Sequence, residues 1–191
     1  MPNKRVHFIR HAQSEHNARF ELADDELAVR HDPRLRDAPL TALGRAQADV
    51  LHDEVIDRRE IELVVVSPLT RAVQTTLAAF AGHPAPRLVH DLPREHLQSF
   101  CDIGRAPAAL SREFPALAFD HLADPWWHVG ENVEGPFAPE PDELLTARVA
   151  GFAEWLSARP EAEIAVVGHG GFLRRLTGHV FGNAERIVAR F

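Results

Sequence analysis

The chain has 191 residues, 45% of them hydrophobic and 26% charged, a composition that fits a globular domain with one sizeable core and sets aside disordered, collagen-like and solenoid classes. Its 21 Lys and Arg against 28 Asp and Glu give a formal net charge of -7, which argues against a nucleic-acid partner while leaving room for a local cationic pocket. The single cysteine, Cys101, cannot form an internal disulfide or a multi-thiolate metal site.

The first predicted element is a strand at residues 6–9 (VHFI), which breaks at Arg10-His11. Thr41 is a plausible N-cap for a helix whose face carries Leu43, Ala46, Val50 and Leu51. A β-branched strand at 63–66 (LVVV) breaks at Ser67-Pro68, and a run of helix formers follows over 69–80. Residues 96–140 contain Pro107, Pro115, Pro125, Pro136 and Pro139 with the pair Trp126-Trp127. This stretch is too long for a simple connection and too aromatic for a linker, so it reads as an ordered insertion over one end of the sheet. Leu145, Val149, Phe152 and Leu156 keep helical spacing up to Pro160. A third strand at 164–167 (IAVV) breaks at Gly168-His169-Gly170-Gly171, and the alternating residues 186–191 fit an edge strand. The inner strands are apolar almost throughout, as expected when helices cover both faces. The expectation is a single α/β domain over residues 1–191, a three-layer sandwich with a mostly parallel central sheet. No apolar run approaches the roughly 18 residues needed to span a bilayer, and no apolar signal region follows the first residues. A cytoplasmic protein with no membrane partner is therefore expected.

Ligands of open α/β sheets bind outside the carboxyl ends of the strands. There the sequence places Arg10-His11, Ser67 with Arg71, and His169 with Gly170-Gly171 opening a helix. Two arginine forks, two imidazoles and helix N-terminal amides suit a dianion such as phosphate. A neutral imidazole can attack phosphorus, while the other groups spread the charge of the transferring phosphoryl group. Glu95 in LPREH is the candidate donor of the proton that the leaving alkoxide needs.

These residues fall within the blocks RHAQSEHN at 10–17, LTALGRAQA at 40–48, SPLTRAVQT at 67–75, LPREH at 92–96 and VVGHGGFLRRL at 166–176. In this order the blocks resemble the histidine phosphatase superfamily, which includes cofactor-dependent phosphoglycerate mutases. The resemblance implies that His11 is the phosphorylated nucleophile and that Arg10, Arg71 and His169 form the phosphate pocket. It further implies that Asn17 touches the phosphoryl group or substrate and that Glu95 is the proton donor. The family usually has glycine where this chain has Ala12. Residues 95–128 look like the phosphomutase-like proteins more than the glycolytic mutases, and hydrolysis is favoured over mutase activity.

The reading is a metal-independent phosphomonoesterase without cofactor, acting on a small phosphomonoester. The alternatives are a phosphomutase, a noncatalytic phospho-ligand binding module and a phosphatase of phosphoproteins. Asp102 and Glu113 compete with Glu95 for the role of proton donor. Arg105 and Arg112 are candidates for a second acidic group of the substrate, whereas Trp126 and Trp127 read as packing. Cys101 reads as structural, because Pro107 stands where a cysteine phosphatase carries arginine. The other histidines, His16 and His96 among them, show no metal-ligand spacing.

Overall fold

The computed structural model describes residues 4–130 and 137–191, so Pro136 of the predicted insertion lies outside the described residues. In chain order the elements are β1 (Arg5–Arg10), α1 (Glu15–Glu21), α2 (Glu26–Arg30), α3 (Ala42–Val55), β2 (Leu63–Val66) and α4 (Thr70–Ala79). They continue with β3 (Arg87–Val89), α5 (Pro107–Glu113), α6 (Asp142–Ala158), β4 (Glu163–Gly168), α7 (Gly170–Thr177) and β5 (Arg186–Arg190). The sheet order is β3-β2-β4-β1-β5. Its pairings are parallel except at the edge, where β5 runs antiparallel to β1.

Strand alternation sorts the apolar side chains into two cores. Ile9, Val64, Val66, Ala165 and Val167 face Leu51 and Val55 of α3 and Val73 of α4. Val6, Phe8, Leu63, Val65, Ile164 and Val166 face α6 through Leu145, Phe152 and Leu156, and α7 through Phe172 and Leu173. Both faces of the sheet are thus covered, which gives the three-layer α/β sandwich and explains why the inner strands lack polar alternation. The predicted stripe on α6 is buried as read, and α6 ends before Pro160.

The structure differs from expectation in α3. Leu43 and Val50 are 55% and 63% exposed, and the buried face is Gly44, Ala48, Leu51 and Val55. The reason is a close docking: Thr41 N–H donates to the Gln13 carbonyl at 3.0 Å. A Cβ on Gly44 would lie 2.0 Å from that same oxygen. Small residues therefore let α3 press against the loop after β1. The edge strand β3, three residues long, goes unpredicted because its run is too short to carry a periodic signal.

Residues from Leu110 to Trp126 extend the first core through Phe114, Leu117 and Phe119. Trp126 donates its indole N–H to the Arg105 carbonyl at 2.9 Å. The earlier part of the segment, including the 3-10 turn Phe100–Asp102, reaches the end of the sheet. Among the described residues no helix is long and apolar enough to cross a membrane.

Candidate active site

The strand-end residues predicted from the sequence converge. β1 delivers Arg10 and His11, α4 begins at the end of β2 and delivers Arg71, and the β4–α7 junction delivers His169. His11, Arg71 and His169 are 2%, 3% and 0% exposed. The two imidazole rings lie 5.0 Å apart, tilted by 56°.

His11 Nδ1 is 2.7 Å from the Ala12 carbonyl, and a carbonyl only accepts, so Nδ1 carries the hydrogen. Nε2 then holds a lone pair, and it accepts from Arg71 Nε at 3.2 Å. Burial, followed by the charges of Arg71 and Arg10, pushes the His11 pKa well below its ordinary value. The ring is therefore neutral with Nε2 as its basic nitrogen. His169 is also depressed, by burial first and then by Arg71 and His11. Its Nε2 pairs with Ser67 Oγ at 2.7 Å. Ala12 is fully buried and sits in a small apolar cluster with Leu40 and Ala48. Its amide donates to Thr75 Oγ1 at 3.0 Å, so the loop holds a methyl group without losing its anchor.

Arg10 donates through Nη1 to the Phe181 carbonyl at 2.7 Å. Its Nε and His169 Nδ1 are buried without a hydrogen-bond partner among the described residues. The Gly170 backbone packs so close to Arg10 that a Cβ there would lie 3.3 Å from Nε. Glu95 caps α7, accepting at Oε2 from Gly171 N–H and at Oε1 from Phe172 N–H, both at 3.0 Å. Two of the helix amides expected to face a phosphate are thus committed to this carboxylate. Asn17 serves the capping box of α1, accepting from Ser14 N–H at 3.1 Å. It also accepts from Asn183 Nδ2 at 3.2 Å and lines the cleft.

The cleft has a volume of about 300 Å³, and Arg10, His11, Arg71 and Glu95 line it together with His16 and Arg30 at its side. Burial, then Arg71 and Arg30, lowers the pKa of His16 to about 4. His96 also lines the cleft, so two histidines that read as scattered in the sequence belong to it. Arg105 does not, because it is held by Asp37 at 2.7 Å, Glu113 at 2.6 Å and Thr70. Arg112, Glu113, Trp126 and Trp127 are likewise absent from the cleft lining. Among the described residues no three His, Cys, Asp or Glu side chains converge as a metal site.

Two groups support the site in roles that no local sequence pattern marks, Asp102 among them although the sequence offers it as a candidate proton donor. Asp102 accepts from Arg71 Nη2 at 2.9 Å. Arg148, buried on α6, donates to the carbonyls of Leu92 and Arg94 at 2.7 Å and of Glu95 at 3.2 Å. Its guanidinium also pairs with Glu140, so a neutralised cation fixes the loop that presents Glu95. Only the long-range packing of α6 reveals this role.

Comparisons with known proteins give the family and the fold. A phosphoglycerate mutase-like protein from Arabidopsis thaliana is 32% identical over 208 residues, covering 91% of this chain and 73% of its own length. A glucosyl-3-phosphoglycerate phosphatase from Mycolicibacterium vanbaalenii is 28% identical over 185 residues, covering 94% of this chain and 75% of its own. The crystal structure of an alpha-ribazole phosphatase from Shigella flexneri shares the fold, with a TM-score of 0.62 and 22% identity across 96% of this chain and 89% of its own. With the family model matching residues 6–191, the chain belongs to the histidine phosphatase superfamily, branch 1.

Proposed function

We propose that the protein is a phosphomonoesterase that works through a phosphohistidine on His11. The observation that carries this reading is the state of His11: neutral, with Nδ1–H fixed on the Ala12 carbonyl and Nε2 basic beside Arg71. In the first step Nε2 forms a bond to phosphorus while the bond from phosphorus to the leaving oxygen breaks. Glu95 gives its proton to that oxygen. In the second step a water oxygen attacks phosphorus as the Nε2–phosphorus bond breaks, and Glu95 takes the proton of the water. Once His11 Nε2 is bonded to phosphorus it no longer accepts from Arg71 Nε–H, which then donates to a phosphoryl oxygen while the guanidinium stays where it is held. Arg10 Nε, without a partner among the described residues, is a further donor, and so is His169 Nδ1 when its Nε2 accepts a hydrogen bond from the Ser67 hydroxyl. These fixed cationic and polar donors spread the charge of the transferring group, where most phosphoryl-transfer catalysis lies.

A cleft of about 300 Å³ suits a small phosphomonoester, and the phosphatase named among the relatives supports hydrolysis. The test is a panel of sugar, glycerol and nucleotide monophosphates with EDTA present, run with and without a bisphosphate primer. Release of orthophosphate without primer or added divalent ion is expected. Phosphoryl transfer between positions of the substrate only when primer is present would make the protein a mutase, and tight binding without turnover would make it a sensor.

A further inference from the structure

The reaction proposed above gives Asp102 no part, yet its carboxylate lines the phosphate cleft and is only 6% exposed. Oδ1 accepts from Arg71 Nη2 at 2.9 Å and from the Cys101 thiol at 3.3 Å. Oδ2 accepts from Gln98 N–H at 3.1 Å. The neighbouring Cys101 carbonyl accepts from Arg71 Nη1 at 2.6 Å. The turn Phe100–Asp102 therefore grips both terminal nitrogens of Arg71 while Nε points at His11. A guanidinium has five N–H donors; three are engaged in these contacts, and the other two have no acceptor among the described residues.

A carboxylate in this place opposes the ligand it helps to bind. A phosphate dianion and Asp102 compete for one buried cation, and two anions repel strongly where water is scarce. Each catalytic cycle ends with orthophosphate held by the same donors, so a pocket without this opposing charge would retain its product. We propose that Asp102 is a positioning residue that orients Arg71 toward His11 and, as its counter-ion, weakens product binding so that orthophosphate leaves. This inference rests on the phosphatase reading above.

Asn at position 102 keeps the shape and an acceptor for Arg71 but removes the charge, whereas Ala removes both. Calorimetric titration with orthophosphate reads binding without turnover, and steady-state kinetics on glycerol phosphate complete the test. D102N is expected to bind orthophosphate about tenfold more tightly, equivalent to ~1.4 kcal/mol, with kcat and KM both reduced. D102A, with Arg71 unpinned, is expected to bind more weakly than D102N and to lose kcat/KM. If D102N fails to fold, D102S, which also removes the charge and keeps an oxygen, carries the same expectation. A wild type that hydrolyses esters, with phosphate affinity unchanged or weakened in the charge-removing variant, overturns the proposal and leaves the phosphatase reading standing. A wild type that binds neither orthophosphate nor vanadate overturns both.

Discussion

Glu95 stands at the N-terminus of α7, accepting from the Gly171 and Phe172 amides, and lines the cleft beside His11. A Cβ on Gly171 would lie 2.6 Å from its Oε1, so glycine at that position is what allows the carboxylate to reach the amides beside the cleft. General acid catalysis matters most for a poor leaving group and contributes roughly 10² to 10⁴ in rate. Glu95→Gln should therefore depress the single-turnover burst with glycerol phosphate by about that factor. Para-nitrophenyl phosphate needs little protonation to leave, and its burst should change much less. Equal losses with both substrates would show that Glu95 acts through position or charge, and the proton would then have to come from another group in the cleft.

The elements hold these residues by close approach, most sharply where α3 docks on the loop that follows β1. Gly44→Ala would drive a Cβ into the Gln13 carbonyl, and neither backbone can yield without shifting the loop that carries His11. A destabilisation of more than about 2 kcal/mol is expected, with a loss of kcat, read by urea midpoint and steady-state assay. Gly151→Ala in α6 is the control, because a Cβ there meets nothing within 4 Å and should stabilise by about 0.5–1 kcal/mol. The central strands and α6 are legible in the sequence because covered strands and an amphipathic helix leave unbroken patterns of apolar residues. The buried face of α3 is not, since Gly44 and Ala48 carry little hydrophobic weight and their value lies in being small. The same contrast divides the site. Residues next to strand ends, such as His11, Arg71 and His169, can be placed from local sequence alone. Asp102 and Arg148 act across long stretches of chain, and only tertiary packing shows what they hold.

Across the whole molecule, burial sets the response to acid. His11 and His169 are pushed well below the ordinary histidine pKa, first by burial, and burial lowers His7 as well. The unfolded chain therefore binds more protons than the folded one below about pH 6.5, and stability must fall as pH falls through that window. Each fully buried histidine costs at most about 1.4 kcal/mol per pH unit until its folded pKa is reached. His16, lowered to about 4, adds to the same fall until the pH reaches that value. Urea midpoints should thus drop between pH 6.5 and 5, above the ordinary carboxylate range; burial pushes the Asp37 and Asp102 carboxyls up, which works against the drop without cancelling the larger set of histidines, and a flat profile there would contradict the buried neutral histidines. The same buried, neutral imidazole is what the reaction uses. The most direct measurement is rapid acid-free quenching of the enzyme with a ³²P-labelled phosphomonoester, followed by mapping of the labelled peptide. An acid-labile, base-stable label on His11 is expected to form within one turnover, and His11→Ala is expected to lose both the label and turnover. Steady-state turnover by His11→Ala, or a label on any other residue, would contradict a phosphohistidine on His11.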